Sequence, residues 1–481
     1  MVGNPPWLAY RYIKDTTYRR VVKDLTFGYS LLSSKEVKLF THIDTSTLFF
    51  VHCELAFLKP HGTIAFVMPK TTVLPAQQHL AFQARGISEI HDFSDVTPLF
   101  GVRSVLLVRN KREEGAKAIP RVTYSGILPV RNASWLQARS CLKRTEDTAD
   151  LRIKKRTYSP YYPLLQQGAT IVPRCFWFVQ PAKDAALHRA APYMESSDDA
   201  LAEAKEPWEI KLEGRIERQF LFETVLGKGL LPFAVSYSEQ VFLPIIKKKE
   251  TFALASQEVL LEHGYDHAAD WLANAEKYWN KLSSSDRHLV GWLNYSQKLS
   301  KQQLDAPIVL IYNTSGTNLT AAVYFGEQAA KKQSNGFAAS HVTYYYYPSS
   351  AEEAYYLCAV LNSSVVNTLI KELQPQGLYG ERHICRRPFE ACSIPKYDSK
   401  NSLHASLADL GAKCTQSVLS YIPHLKGRLG QMRLDVRRII AGELAKIDAL
   451  VLRLLDEAGQ HLSQEDLSQD FSKTDDLFRE S

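Results

Sequence analysis

No stretch of this 481-residue chain limits its local fold more than the tetrapeptide Asn4-Pro5-Pro6-Trp7. Two successive prolines remove two backbone N–H donors, so residues 5 and 6 can neither continue a helix nor donate to a sheet ladder. Each ring also fixes its own φ, and the residue before a proline is pushed toward extended backbone. A strand that delivers Val2 and Gly3 must therefore end here, in a rigid loop that offers carbonyl oxygens without competing donors. Asn4 adds a side-chain carbonyl, and Trp7 adds a flat apolar face.

That combination suits an exocyclic amine on a planar base. Such an amine is a poor nucleophile because its lone pair is delocalised into the ring. Two acceptors aimed at its two N–H bonds direct the lone pair outward. A base inside a duplex is out of reach, so this chemistry requires it to be flipped out. The residues also fit an ordinary Pro-Pro turn beside a half-buried Trp. Shortly afterwards come Arg11-Tyr12-Ile13-Lys14 and Tyr18-Arg19-Arg20. Cations interleaved with aromatics can grip phosphates, and they equally fit the solvated face of a helix start.

Downstream, residues 49–58 (FFVHCELAFL) carry apolar side chains at helical spacing, and Lys59-Pro60-His61-Gly62 stops them. Residues 63–68 (TIAFVM) form a continuous apolar run ending at Pro69-Lys70, which predicts a strand buried on both faces of a parallel sheet. A helix is expected around 77–84, with strands near 87–93 and at 105–108. Between these strands lies Val96-Thr97-Pro98-Leu99-Phe100-Gly101-Val102.

In this succession, residues 1–110 resemble the second half of a class-γ DNA adenine-N6 methyltransferase. The resemblance implies that Asn4, Pro5 and Pro6 hold the amine and that Trp7 stacks on the flipped adenine. Phe100 matches the family's aromatic on the base's other face. Arg11, Lys14, Arg19 and Arg20 would then meet DNA. A second resemblance, to the target-recognition domains of type IIG restriction–modification proteins, lies toward the C-terminus. It rests on Gly316, Leu319, Ala321-Ala322-Val323, the run Tyr344-Tyr345-Tyr346-Tyr347-Pro348, and Glu352-Glu353-Ala354-Tyr355-Tyr356-Leu357. Leu361-Asn362-Ser363-Ser364, Gly377-Leu378-Tyr379-Gly380-Glu381-Arg382-His383-Ile384 and Ile394-Pro395-Lys396-Tyr397-Asp398 complete it. Arg382 joins the DNA-binding candidates on this basis.

Together these imply an α/β fold, an incomplete Rossmann-like methyltransferase sheet, followed by an α+β target-recognition region with a C-terminal helix. The expected division is 1–145, 146–425 and 426–481. The expected activity is methyl transfer from S-adenosylmethionine to adenine N6 in double-stranded DNA, in a restriction–modification or defence system. The family holds that cofactor on a Gly-containing loop upstream of the Asn-Pro-Pro-aromatic segment, whereas only Met1, Val2 and Gly3 precede it here. Leu226-Gly227-Lys228-Gly229 lacks the strand–loop–helix pattern such a site needs. The chain is therefore expected to be a fragment, a misassigned start, or half of a split enzyme whose cofactor half is a separate chain. Two alternatives stand beside this reading: a non-catalytic DNA-recognition subunit or inactive remnant, and a methyltransferase acting on RNA bases or a protein glutamine.

Composition sets outer bounds. Hydrophobic residues at 45% and charged residues at 23% suit a globular protein, and the length suits two or three domains. No apolar run is long enough to span a bilayer, so no membrane partner is expected. The seven cysteines form no CxxC pair, which argues for reduced thiols in the cytoplasm. His383, Cys385 and Cys392 match no zinc spacing, and no metal is expected. The net charge of +7 permits nucleic-acid binding without establishing it. Arg152, Lys154, Lys155 and Arg156, then Lys247-Lys248-Lys249, then Lys426, Arg428, Arg433, Arg437 and Arg438 read as phosphate tracks or as solvated surface runs. Glu209-Ile210-Lys211 has the Glu-x-Lys spacing of metal-dependent nucleases but no Pro-Asp partner upstream.

Residues 113–151 are rich in charge and predict a separator, with a boundary near 139–150. Strands are expected at 169–172, 176–179, 309–312 and 343–347, with more short ones across 230–246. Helices should dominate 258–299, packed through Trp271, Trp279 and Trp292. Ser349 and Ser350 each precede a Glu by three residues, a capping-box signature. Residues 434–455 predict one amphipathic helix that closes its domain.

Overall fold

A computed structural model describes residues 1–33, 39–41, 43–74, 77–110, 118–149, 158–183, 188–248, 251–371, 373–374, 376–377, 380–381, 383–460 and 462. The chain forms two compact units, Met1–Arg156 with Glu372–Arg382, and Thr157–Lys371 with His383–Ser481.

The first unit runs β1 (Val2–Gly3), α1 (Thr16–Gly28), α2 (Thr45–Ala56), β2 (Thr63–Pro69), α3 (Leu80–Gln83), β3 (Glu89–Thr97), β4 (Ser104–Asn110), β5 (Ile119–Ile127), α4 (Trp135–Cys141) and β6 (Leu142–Ala149). Its sheet has the order β1-β2-β4-β3-β5-β6. β1 is parallel to β2, and β3 is parallel to β5. β4 runs antiparallel between β2 and β3, because the short connection from β3 can only fold it back beside its predecessor. The sheet is thus mixed, and the expectation of a parallel sheet around residues 63–68 is corrected. That run alternates: Ile64, Phe66 and Met68 are buried, while Ala65 and Val67 are half-exposed. Phe50 of α2 fills the buried face, edge-on to Phe66 at 5.6 Å and to Phe82 at 5.3 Å. A side chain at Gly3 would come within 2.9 Å of the Phe66 ring, so only glycine lets β1 lie there.

The charged stretch 113–151 is not a separator. β5 and β6 pair in it over eight positions and extend the same sheet through the expected boundary. β6 shows no apolar alternation because it is an edge strand with its side chains exposed or half-exposed.

In the second unit, a five-stranded antiparallel sheet takes the order Glu213–Arg215, Tyr193–Ser196, Phe178–Pro181, Glu239–Phe242, Leu221–Thr224. Helix Asp266–Leu282 joins its core, and Trp271 donates its indole N–H to the Phe176 carbonyl at 3.0 Å. Trp279 is buried and Trp292 half-buried beside it, as the helical pattern predicts. A four-stranded sheet, Ala321–Phe325, Ile308–Asn313, Thr343–Tyr346 and Gln166–Gln167, packs under helix Ala351–Asn362. Two local expectations are corrected. Residues 169–172 make one isolated bridge, Ala169 to Ser340, and residues 176–179 divide between a helical turn, Arg174–Trp177, and the strand beginning at Phe178. The amphipathic stretch 434–455 breaks at Ile440 into helices Leu429–Ile439 and Ala441–Glu457. The second helix buries Leu444, Ile447, Val451, Leu454 and Leu455 and closes the core.

Candidate functional site

The loop after β1 departs from the sheet where its prolines begin. β1 pairs Val2 with Ala65 and Gly3 with Phe66, so the ladder would next engage Val67. Pro5 and Pro6 have no N–H to give. Trp7 takes over: its indole Nε1 donates to the Val67 carbonyl at 3.1 Å, which satisfies that acceptor and pins the ring to β2. Thr45 at the start of α2 donates its hydroxyl to the Pro6 carbonyl at 3.0 Å and its N–H to the Leu8 carbonyl at 2.9 Å. Tyr10 donates its N–H to the Ile43 carbonyl at 3.0 Å. Asp44 caps α2 by accepting from the Ser46 N–H at 2.9 Å, and burial raises its carboxyl above the ordinary value. The loop is therefore fixed from both sides.

One of the expected amine acceptors is thus already engaged. The Pro6 carbonyl serves Thr45, which leaves the Asn4 side chain and the Pro5 carbonyl. Asn4 is exposed and hydrogen-bonds to none of the described residues.

Phe100 lies on the connection between β3 and β4. Its ring centroid is 5.4 Å from that of Trp7, tilted by 49°. The structure brings the two aromatics together, in contact with each other rather than apart. A base stacked between them needs two ring contacts of roughly 3.5 Å each, hence centroids about 7 Å apart. One ring must therefore withdraw, and Phe100 is on the freer backbone, since Gly101 beside it is exposed with open space around it. The ends of this connection are anchored. Lys70 donates its N–H to the Arg103 carbonyl at 2.9 Å, and its ammonium pairs with Asp92 of β3 at 2.9 Å. Burial alone would raise the Asp92 carboxyl. The charge of Lys70 and hydrogen bonds from Ser94 outweigh it and hold the group below its ordinary value.

The basic candidates nearby are on the surface of the first turns. Arg11 lies over Tyr12 at 4.8 Å and Arg19 over Tyr10 at 5.0 Å, while Lys14 and Arg20 are exposed. Arg382 falls outside the described residues, as do Arg152, Lys154, Lys155 and Arg156.

In the second unit the recognition-like motifs build scaffold. Asn362 accepts from the Ala321 N–H at 3.1 Å and donates to the Ala321 carbonyl at 2.8 Å. Ser350 caps its helix by accepting from the Glu353 N–H, and the buried Glu353 carboxylate accepts from Ser349, Tyr161 and Tyr346. Arg433, read from sequence as one of a basic run, is instead a structural tie. Its guanidinium donates to the carbonyls of Gly227 and Leu230 at 2.9 Å, and burial, with Arg437 nearby, brings it down to about 10. Lys211 pairs with Glu195 at 2.5 Å, and Glu209 is exposed. A feature the sequence did not signal is a cleft of about 990 Å³ lined by Trp208, Trp279, Trp292, Arg174 and His341. These residues come from distant parts of the chain, and each alone reads as core or surface.

No family model matches the chain, and no curated protein matches it by sequence. Among solved structures it is similar to the type IIL restriction–modification enzyme MmeI in complex with DNA, at 10% identity and a TM-score of 0.54. That similarity covers 100% of this chain and 56% of MmeI, so the chain spans just over half the length of that relative. The ATP-dependent type ISP restriction–modification enzyme LlaBIII bound to DNA aligns at 10% identity over 96% of this chain and 37% of its own, with a TM-score of 0.40. The type IIG restriction endonuclease BpuSI aligns at 12% identity over 95% of this chain and 55% of its own, with a TM-score of 0.27. The last two scores are too low to argue a shared fold. The MmeI alignment shows a likeness of fold.

Proposed function

We propose that this chain handles the acceptor base for a DNA adenine-N6 methyltransferase of a restriction–modification or related defence system. The observation that carries the reading is the convergence, at the end of β1, of the Asn4 amide, the Pro5 carbonyl and the paired rings of Trp7 and Phe100. Asn4 and Pro5 would accept the two N–H bonds of the adenine amine. Trp7, held to β2 through its N–H, provides the fixed stacking face, and Phe100 the one that opens to admit the base. The sheet order and the likeness of fold to a DNA-bound type IIL enzyme support the same reading.

S-adenosylmethionine is the methyl donor this reading implies, but the described residues do not make a site for it. Among them, β1 has a strand neighbour on one side only. The Gly227–Gly229 turn leads into a strand, and Lys228 is engaged by Asp199 at 2.7 Å and Glu239 at 3.1 Å. The roles assigned to this chain therefore concern the acceptor base alone.

The test is an Asn4→Ala replacement at the chromosomal locus, with N6-methyladenine mapped by single-molecule sequencing. Loss of methylation at one recurrent DNA motif is the expected result, and an unchanged methylome would sink the catalytic reading. A second reading, DNA recognition without catalysis, is favoured by the closed contact between Trp7 and Phe100. Duplex binding together with an unchanged methylome would select it.

A further inference from the structure

The first unit carries a surface that the acceptor site does not explain. Residues 126–144, the end of β5 through α4 into β6, hold Arg131, Arg139, Lys143 and Arg144 and no Asp or Glu. The same stretch exposes large apolar side chains: Ile127 at 75%, Val130 at 50%, Trp135 at 67% and Leu136 at 76%. α4 buries no residue at all. It is nonetheless locally well specified, because Ser134 and Gln137 form a reciprocal capping box, Ser134 accepting from the Gln137 N–H and donating its own N–H to the Gln137 amide oxygen at 2.8 Å. Trp135 and Leu136 are thus displayed by a helix that does not need them for its core. Arg139 and Lys143 have no ion pair among the described residues, whereas Arg144 pairs with Glu146.

This surface is tied directly to the Phe100 loop. Leu128 donates its N–H to the Thr97 carbonyl at 2.6 Å, and Arg131 donates its Nε–H to the Leu99 carbonyl at 2.8 Å. Gly126, with φ of +140°, lets β5 approach the end of α4, where a Cβ would meet the Cys141 carbonyl at 2.7 Å.

We infer that the β5–α4–β6 hairpin is a duplex-docking wedge beside the acceptor site, with Trp135 and Leu136 pressed into a groove and Arg139 and Lys143 on the flanking phosphates. Cations without acids match a polyanion, and apolar side chains among them serve proteins that wedge base steps apart. The inference rests on the proposed acceptor-site reading and adds what holds the DNA open next to the extruded base.

The test measures binding of the full chain to a short labelled duplex across a range of salt. Two variants are compared with wild type: Trp135→Ser with Leu136→Ser, and Arg139→Gln with Lys143→Gln. The apolar pair should weaken binding roughly tenfold or more with an unchanged salt slope. The charge pair should lower the slope of log K against log salt by about 1.8, roughly 0.9 for each phosphate left without its cation. Melting temperatures should be unchanged, since α4 buries nothing; if the apolar pair lowers its own, the charge pair decides alone. Wild-type binding with both variants indistinguishable from it would overturn the wedge and leave the acceptor site standing. Variants that lose affinity only for anionic lipid vesicles would overturn it too. No duplex binding by wild type would overturn both readings together.

Discussion

Trp7 shows how one side chain serves fold and site together. Its indole N–H replaces the ladder donor that Pro5 cannot supply, while its face stays half-exposed beside Phe100. Trp7→Phe keeps a stacking face and removes the donor to Val67. The expected cost is about 1 kcal/mol of stability in the first unit, read by urea denaturation. Phe100→Ala should behave in the opposite way. The ring sits half-exposed on a loop, so stability should change by less than about 1 kcal/mol. A stacked base would lose roughly 1–3 kcal/mol, so methylation in cells carrying the variant should fall while protein level holds. Equal methylation in Phe100→Ala and wild type would remove Phe100 from the site. The proximity of these two residues was legible in the sequence only through resemblance, because 93 positions separate them. The role of Thr45 in occupying the Pro6 carbonyl was not legible, since any Thr at a helix start looks alike.

Elements could be read where a local rule produces them. The Pro-Pro segment ends β1, residues 59–62 close α2, and alternating apolar residues give β2 and β4. They were missed where the pattern depends on what lies opposite. β6 carries no apolar stripe because its side chains face solvent, so the sheet could not be traced past β4 from sequence. The break at Ile440 was hidden because both halves of that stretch keep the same stripe. The short turn Gln77–His79 makes a testable case of its own. His79 is buried with its Nδ1 unpartnered among the described residues, and burial pulls its imidazole down to about 4 from 6.5. A base depressed on folding binds its proton more readily when unfolded. Its contribution is therefore fully present above pH 6.5 and is lost as pH falls toward 4. His79→Leu should flatten the decline in first-unit stability over that window by a few kcal/mol and leave stability at pH 7 unchanged or raised. Parallel pH–stability curves for the two proteins would contradict this.

For the molecule as a whole, a net charge of +7 says little until the engaged cations are separated from the available ones. Arg109 is held by Glu54 at 2.5 Å, Lys332 by Glu223 at 3.3 Å, and Lys247 by Asp305. Arg433 is spent on two backbone carbonyls of the second unit. Sequence runs of Lys and Arg cannot reveal this, because a buried Arg and a solvated one share the same neighbours in the chain. The distinction predicts opposite signatures. Arg433→Met should leave the Gly227 and Leu230 carbonyls unpaired and cost about 1–3 kcal/mol of second-unit stability, without altering the salt dependence of duplex binding. Lys14→Gln combined with Arg20→Gln should leave stability within about 0.5 kcal/mol, because both side chains are exposed. If these two contact phosphates, the slope of log K against log salt should fall by roughly 0.9 for each. Denaturation and a salt series on the same two proteins separate the roles. A slope that changes with Arg433 and not with Lys14 and Arg20 would mean that DNA approaches the second unit by a different face, and that the basic turn after Trp7 is only a solvated helix start.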